Sequence, residues 1–235
     1  MFVIRIADLN VRIYNMYPFV KAMCHDYLTD AKIEIDMDVR VTDSDIDQEI
    51  ALSAIPVTRD YAEAVCVYRL ICQRLPMAFE AFLFHAAVVS VDGFAYAFAA
   101  TSGTGKSTHI RLWQKYLGER VHIINGDKPI LRFVNDQLMV YGTPWCGKEG
   151  YQENTSAPLK AICFLERGLT NSILPISAEE AVGRIFSQIL SPTDLETVDA
   201  LFPLLDRTLR QIPCYLLRCN MDVEAAKVAY LGMNS

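Results

Sequence analysis

The residues best suited to chemistry lie in one short segment, ATSGTGKS at residues 100–107. This segment follows the pattern GxxxxGK[ST] of a phosphate-binding loop, with alanine in place of the first glycine. Glycines at these places let consecutive backbone N–H groups converge on an anion, and the helix that follows contributes the positive end of its dipole. We therefore expect the ammonium group of Lys106 to contact the β- and γ-phosphates of a nucleotide, and the hydroxyl of Ser107 to bind Mg²⁺.

The neighbouring sequence supports this interpretation over the alternative, a glycine-rich turn that only connects a strand to a helix. FAYAFA, residues 94–99, has the composition of a strand, and Ile110, Trp113 and Leu117 lie at helical spacing. The expected ligands are ATP or GTP, together with Mg²⁺. The residues expected to surround the nucleotide phosphates are Ser102, Gly103, Thr104, Gly105, Lys106, Ser107 and Thr108.

A carboxylate suited to the same metal ion follows the next apolar strand, VHIIN, at Asp127. A phosphate-binding loop needs such a group, so we expect Asp127 to bind Mg²⁺ together with Ser107. Asn, Gly and Asp also favour turns, so a purely structural turn is the alternative. The adjacent Lys128 would hold the transferred phosphate or an acidic substrate, or would be a solvated surface lysine.

A long irregular segment, GTPWCGKEGYQEN at residues 142–154, lies between two predicted strands. Loops of this kind beside a nucleotide site often hold a substrate or close over it. Lys148 and Glu149 would be its polar working pair, and Trp145 would offer a stacking surface or an apolar wedge. The alternative is an ordinary exposed connection that Trp145 anchors to the core.

The elements that must position these residues divide into two predicted units. Residues 1–75 have the pattern of a small α+β module for substrate recognition or assembly. Its predicted elements are strands VIRI and NVRIY around a turn at Asp8-Leu9-Asn10, a helix over 17–28, a strand over 32–39, and helices over 44–55 and 59–75, the last ending near Pro76.

Residues 76–235 are predicted to form the nucleotide-binding domain, an α/β unit with a mixed sheet and a helical C-terminal part. FLFHAAVVSV, Asp92-Gly93 and FAYAFA indicate a hairpin. His85 lies in the first of these strands, where residue type alone indicates a core histidine. The further predicted strands are VHIIN, PILRFV, LMVYGT, LKAICFLE and CYLLRC, and the late helices cover 177–190, 194–212 and 222–233.

Composition excludes several classes of protein. The formal net charge of −6, from 22 basic and 28 acidic residues, argues against a general binder of nucleic acid or of anionic membranes. The 7 cysteines form no CxxC pair and no zinc-ligand spacing, which is typical of reduced thiols in the cytoplasm. No signal peptide or membrane-spanning stretch is expected, so the predicted location is cytoplasmic. A homo-oligomer is compatible with the sequence, which does not decide the oligomeric state.

Taken together, His85, the strand–Asp92-Gly93–strand hairpin, the loop SGTGKST and the strand end at Asp127 resemble the catalytic domain of HPr kinase/phosphorylase. That domain belongs to the group with the phosphoenolpyruvate carboxykinase type of P-loop fold. The segments GTPWCGKEGY and APLKAICFLERG resemble smaller HPr-kinase-like proteins. The resemblance extends over residues 80 to 170 or so and only loosely over the later helices.

The resemblance implies roles that the residue pattern alone does not. It makes His85 an active-site group near the transferred phosphate, and it strengthens the expectation that Lys148 and Trp145 contact the substrate. It places Asp127 where the family has two adjacent aspartates, one tied to the metal ion and one that deprotonates the target serine. Here the pair reads Gly126-Asp127. Either Asp127 serves both purposes, or another residue, for which Glu149 is the candidate, is the general base.

The implied activity is a kinase that transfers the γ-phosphate of ATP or GTP to a hydroxyl, expected to be a serine of a peptide, a protein or a small molecule. HPr itself is not the expected acceptor, because the loop by which HPr kinases engage it has no close match here. A nucleotide-binding regulator without catalysis is the alternative. A carboxykinase-like lyase is disfavoured, because it would need further metal ligands and an arginine-rich carboxylate site.

Overall fold

The computed structural model of the chain describes residues 1–30, 33–190 and 194–235. The strands are β1 (Phe2–Ile6), β2 (Leu9–Tyr14), β3 (Met37–Arg40), β4 (Ala81–Leu83), β5 (Ala86–Val91), β6 (Phe94–Ala99), β7 (Val121–Asn125), β8 (Ile130–Val134), β9 (Gln137–Tyr141), β10 (Ser156–Arg167), β11 (Ser172–Ile176) and β12 (Cys214–Cys219). The α-helices are α1 (Pro18–Met23), α2 (Asp43–Leu52), α3 (Arg59–Phe79), α4 (Lys106–Leu117), α5 (Ala178–Phe186), α6 (Leu195–Gln211) and α7 (Val223–Gly232). Among the helices in these ranges, none combines the length and the apolar character that a membrane crossing requires.

The larger of two sheets carries the predicted phosphate-binding loop at the end of β6. Its strands follow the order β4-β8-β9-β10-β6-β5-β7, and β12 and β11 continue from β10. β6 pairs parallel to β10 and antiparallel to β5, so the sheet is mixed, as predicted. β12 is parallel to β10, and β7 is antiparallel to β5. The carboxyl ends of β6, β7, β10 and β12 therefore meet at one edge of the sheet, where ligands of α/β proteins commonly bind.

Helices cover both faces of this sheet. Tyr96 and Phe98 of β6 point to a core with α4 and α7, whereas Ala95, Ala97 and Ala99 point to a second core with α5 and α6. Each residue of β6 after Phe94 is buried, which explains its nearly continuous apolar composition. The strand that carries the loop is thus held from both sides.

The first three strands form a separate sheet, in which β1 and β2 are antiparallel and β2 and β3 are parallel. Its core, shared with α2 and α3, also includes Leu83 and Ile130 of the larger sheet. The Tyr141 hydroxyl donates a hydrogen bond of 2.7 Å to the Asp8 carboxylate. The N-terminal sheet and its helices therefore pack directly against the larger sheet. The division into residues 1–75 and 76–235 stays a prediction.

The predicted strand FLFHAAVVSV is wrong in one respect that matters for the site. It breaks into β4 and β5, because β4 pairs with β8 while β5 pairs with β6 and β7. His85 lies at the break, where its backbone N–H donates to the carbonyl of Gln188 at 2.7 Å. A histidine outside the ladder is free to point away from the strand, and this one is half-buried rather than in the core.

The helix that was predicted to stop near Pro76 continues to Phe79. Proline cannot donate the helical hydrogen bond at its position, but Ile71, Cys72 and Leu75 bury one face of this turn. The packing of this apolar face therefore outweighs the loss of one helical hydrogen bond at Pro76. The helix ends at Glu80, whose φ of +48° is left-handed.

Three smaller predictions near the N-terminus also differ from the structure. The first hairpin turns at Ala7 and Asp8, and the next two residues already belong to β2. The helix over 17–28 is α1 followed by a 3₁₀ turn, His25–Tyr27. The strand over 32–39 begins only at Met37, and its first predicted residue, Lys32, lies outside the described residues.

The C-terminal part is less purely helical than predicted. It contains β11, which the sequence analysis did not anticipate, besides the predicted β12. β11 is a largely exposed strand that pairs only with β12 and contains Pro175. Proline is tolerated at sheet edges, and an exposed edge strand lacks the apolar run that would reveal it.

Candidate nucleotide-binding site

The predicted phosphate-binding loop spans the six residues between the end of β6 at Ala99 and the start of α4 at Lys106. Gly103 and Gly105 have φ angles of +79° and +121°, which residues with a side chain rarely adopt. The Arg167 guanidinium donates a hydrogen bond of 2.7 Å to the Gly103 carbonyl. Arg167 was missed in the sequence analysis, because only the parallel pairing of β10 with β6 brings it to the loop.

Lys106 is buried at the head of α4, with 8% of its surface exposed. Its Nζ donates to the Ala100 carbonyl at 3.0 Å and lies 3.1 Å from Nε2 of His85. Burial lowers the pKa of Lys106; Asp127 acts to raise it, and Lys128 lowers it further. A bound polyphosphate would counter the cost of burying this charge, so the surroundings of Lys106 are suited to an anion.

Asp127 lies beside the loop because β7 runs parallel to β6 and ends at the same edge of the sheet. Its Oδ1 lies 3.0 Å from His85 Nε2, and its Oδ2 is in contact with the Lys128 ammonium. Burial acts to raise the pKa of Asp127, but the hydrogen bonds from His85 and Lys128 outweigh burial and lower it to about 2. The carboxylate is therefore ionised at neutral pH.

Asn125 holds Asp127 and Lys128 in place, a role that the sequence analysis did not assign to it. Its side-chain oxygen accepts hydrogen bonds from the backbone N–H groups of Asp127 at 2.9 Å and Lys128 at 2.7 Å. Its amide donates to the Thr143 carbonyl at 2.9 Å. Asn125 is fully buried. The turn and the metal-site interpretations of Asn-Gly-Asp are thus compatible, since the turn presents the carboxylate.

His85 Nε2 lies between Asp127 Oδ1 and Lys106 Nζ, and it can bond only one of them in a given protonation state. With a proton on Nε2 it donates to Asp127, and without one it accepts from Lys106. The break between β4 and β5 thus brings the histidine into contact with both charged residues. The expectation of a core histidine from residue type alone is wrong for this position.

Little space surrounds Gly126, which stands where the resemblance to HPr kinase/phosphorylase would place a further aspartate. A Cβ at this position would lie 3.1 Å from the Cys146 carbonyl oxygen and 3.1 Å from Tyr151 Cβ. The Gly126 N–H donates to the Tyr151 carbonyl at 2.8 Å, which holds residues 146–151 against the turn. The loop over residues 142–154 therefore crowds the space that a side chain at position 126 would need.

A cleft of about 540 Å³, called the phosphate cleft below, opens between the predicted phosphate-binding loop and the turn at Asp127. The predicted residues on its wall are His85, Ser102, Gly103, Gly105, Lys106, Ser107, Thr108, Asp127, Lys148 and Glu149. Glu149 is not free, because Arg111 of α4 binds its carboxylate at 2.6 Å and also donates to the Tyr151 hydroxyl at 2.9 Å. Arg111 was not anticipated, and it ties the loop over residues 142–154 to α4.

The three other predicted residues lie on neighbouring cavities. Thr104 lies on a cavity of about 690 Å³, called the nucleoside cavity below, which shares Gly103, Gly105 and Thr108 with the phosphate cleft. This cavity lies at the carboxyl ends of β10 and β12. His109 also lines it. Lys128 and Trp145 lie on a third cavity, of about 560 Å³, which adjoins the phosphate cleft at Cys146, Gly147 and Lys148.

The residues in the phosphate cleft fit a magnesium ion that arrives with a nucleotide. The Ser107 hydroxyl and the Asp127 carboxylate share its wall. Mg²⁺ in nucleotide sites is usually held by one or two protein oxygens, with phosphate oxygens and waters completing its shell. Within the described ranges, no group of three or more His, Cys, Asp or Glu side chains is arranged to hold a metal ion.

Comparison with known proteins gives limited information. No family model matches the chain, and no curated protein sequence matches it. In structure it is similar to the Hpr(Ser) kinase/phosphatase from Coxiella burnetii, at 12% sequence identity and a TM-score of 0.38. The match covers 65% of this chain and 99% of that chain. A likeness of this size assigns neither a reaction nor a substrate to the present chain.

Proposed function

We propose that the protein is a kinase that transfers the γ-phosphate of ATP or GTP to a hydroxyl group, with a serine of a peptide, protein or small molecule as the expected acceptor. One observation carries the proposal. His85 Nε2 lies 3.1 Å from Lys106 Nζ and 3.0 Å from Asp127 Oδ1, so three segments distant in sequence meet beside the glycine-rich loop.

The two cavities beside the loop suggest how a nucleoside triphosphate is held. The phosphates occupy the phosphate cleft, where Lys106 and the start of α4 supply positive charge. The nucleoside lies in the nucleoside cavity, which is lined by Leu112 and Leu165 and is continuous with the cleft through Gly103 and Gly105. Phosphoryl transfer needs mainly positioning and positive charge around the γ-phosphate, and this arrangement offers both.

The metal ion and the residues have separate tasks in this proposal. When bound with the nucleotide, Mg²⁺ would neutralise charge on the β- and γ-phosphates, and Ser107 and Asp127 would hold it. Lys148 is exposed at the rim of the cleft and has no ion pair among the described residues. It would therefore add positive charge near the transferred group.

The acceptor hydroxyl would approach from the side of Asp127 and His85. Its oxygen forms a bond to the γ-phosphorus, the bond from that phosphorus to the β–γ bridging oxygen breaks, and the nucleoside diphosphate departs. The hydroxyl proton passes to the Asp127 carboxylate, which is ionised and is oriented by His85 and Asn125. Glu149 is the weaker candidate for the base, because Arg111 already binds it.

Thermal unfolding with ATP alone, with ATP and Mg²⁺, and with the Lys106→Ala variant tests nucleotide binding. A nucleotide at ~100 times its Kd adds about 2.7 kcal/mol to the free energy of unfolding. We expect a magnesium-dependent rise in Tm that the variant loses. No shift with any nucleotide would contradict the proposal.

Catalysis is tested separately, by the release of ADP in the presence of hydroxyl-bearing acceptors. We expect acceptor-dependent ADP that Asp127→Asn abolishes while nucleotide binding persists. A nucleotide-induced shift without ADP from any acceptor would instead support the non-catalytic regulator. The two measurements therefore separate the kinase from its alternative.

A further inference from the structure

The third cavity, of about 560 Å³, lies between the N-terminal helices and the loop over residues 142–154. It is called the apolar cavity below. Tyr61, Val65 and Tyr68 on α3 line it, together with Trp145 of the loop. The rings of Tyr68 and Trp145 lie 5.4 Å apart, a packing distance typical of aromatic pairs. The cavity is therefore made mainly of aromatic and aliphatic surface.

The apolar cavity and the phosphate cleft adjoin each other. Cys146, Gly147 and Lys148 line both of them. Asp127 lies on the cleft and Lys128 on the cavity, and their charged groups are in contact. A molecule whose hydroxyl reaches Asp127 from this side would therefore place its neighbouring group in the apolar cavity.

Polar groups in the apolar cavity restrict what fits there. The charged groups that line the cavity are the ammonium groups of Lys128 and Lys148, so a positively charged side chain is disfavoured.

We propose that the apolar cavity is the acceptor subsite of the enzyme, and that it binds the apolar or aromatic side chain of a peptide next to the serine that is phosphorylated. This inference rests on the proposed kinase function. The aromatic lining matches such a side chain, and the shared rim matches the short distance between neighbouring residues of a peptide. It also assigns to α3 the substrate recognition that was one of two roles expected of the N-terminal module.

The test uses blocked pentapeptides Gly-Gly-Ser-Xaa-Gly and Gly-Xaa-Ser-Gly-Gly, in which Xaa is Phe, Ala or Lys. Release of ADP and the mass of the phosphopeptide report transfer. We expect at least one Phe peptide to have a KM at least about tenfold below that of its Ala counterpart, and the Lys peptides to be the poorest acceptors. Equal KM values for all three would overturn the inference and leave the kinase proposal intact.

Two variants test whether the acceptor subsite lies in the apolar cavity. Val65→Trp fills the apolar cavity from α3, and Val182→Trp makes the same substitution at an exposed site on α5, outside the described cavities. We expect only Val65→Trp to abolish the Phe preference, while both variants keep the magnesium-dependent shift in Tm. A Phe preference that survives Val65→Trp would place the subsite elsewhere.

Binding of peptides in which Ala replaces the target Ser, measured by calorimetry, separates the two proposals. Binding that Val65→Trp abolishes, without transfer to any Ser peptide, would support the cavity and contradict the kinase. Transfer to apolar small-molecule alcohols but not to peptides would contradict the peptide occupant. A dimer of the unmodified chain that Val65→Trp dissociates would assign the cavity to a second copy instead.

Discussion

The phosphate cleft and the apolar cavity share a rim, yet they are built in different ways. The largest group of residues on the cleft wall, six of 13, comes from one short segment, residues 102–108, which acts through its backbone and the start of α4. The apolar cavity combines side chains from α1, α3 and the loop over residues 142–154. A local sequence motif can therefore predict the proposed phosphate-binding side, whereas the proposed acceptor side forms only when segments distant in sequence pack together.

The largest expected effect is on the cleft side, from Asp127→Asn. The change removes the negative charge that would hold Mg²⁺ and accept the proton, so we expect the transfer rate to fall by about 10³-fold. Single-turnover kinetics measures it, with Asp199→Asn, an exposed carboxylate on α6, as the matched control. Unchanged transfer in the Asp127 variant would remove this residue from both proposed roles.

The second-largest expected effect is a loss of stability at low pH that arises from His109, which lines the nucleoside cavity. Its Nε2 accepts from the Trp113 indole at 3.1 Å, and burial lowers its pKa to about 3. Because the unfolded chain takes up this proton near pH 6.5, the free energy of unfolding should fall as the pH drops from 6.5 toward 3. We expect this loss to be about 2 kcal/mol smaller for His109→Gln between pH 7 and pH 4.5.

Urea unfolding at the two pH values measures the His109 effect. Gln retains an acceptor for the Trp113 indole but does not titrate. His122→Gln removes an exposed histidine on β7 and serves as the control; because it retains His109, we expect it to lose stability with falling pH as the wild type does. The same loss in wild type and the His109 variant would show that this buried histidine does not govern acid stability.

A smaller effect is expected where the loop over residues 142–154 meets the cleft. Gly126→Ala brings a methyl group against Cys146 and Tyr151, so we expect it to lower the free energy of unfolding by about 1 kcal/mol. Gly183→Ala in α5 meets no atom within 4 Å and is expected to raise it by roughly 0.5–1 kcal/mol. Denaturant unfolding measures whether the two substitutions change the free energy of unfolding in opposite directions. If Gly126→Asp raised the transfer rate, that result would contradict the inference that a side chain does not fit at this position.

The smallest expected effect is that of Glu149→Gln, which weakens the Arg111 contact. Both side chains are partly exposed, so their ion pair should contribute less than about 1 kcal/mol. We therefore expect transfer to slow by less than about tenfold, and by less still at high salt. Slowing by a hundredfold or more would instead make Glu149 the general base, as one reading of the sequence allows.

How much of the site was visible in the sequence varies from residue to residue. Lys106 and Ser107 were identified by a motif whose members lie next to one another in the chain. The position of Asp127 at a strand end was predicted, but its contact with His85 depends on the break between β4 and β5, which the apolar run hid. Arg111, Asn125 and Arg167 were missed, because each acts through a contact with a segment distant in sequence or through a buried side-chain hydrogen bond.

By itself the sequence determined the strand–loop–helix unit and most of the helices and strands, because periodicity and loop torsions depend on neighbouring residues. Only the tertiary structure decided that β7 ends beside β6, that residues 146–151 exclude a side chain at Gly126, and that α3 faces Trp145. These features follow from strand pairing and side-chain packing between segments far apart in the chain, and no local pattern encodes such contacts.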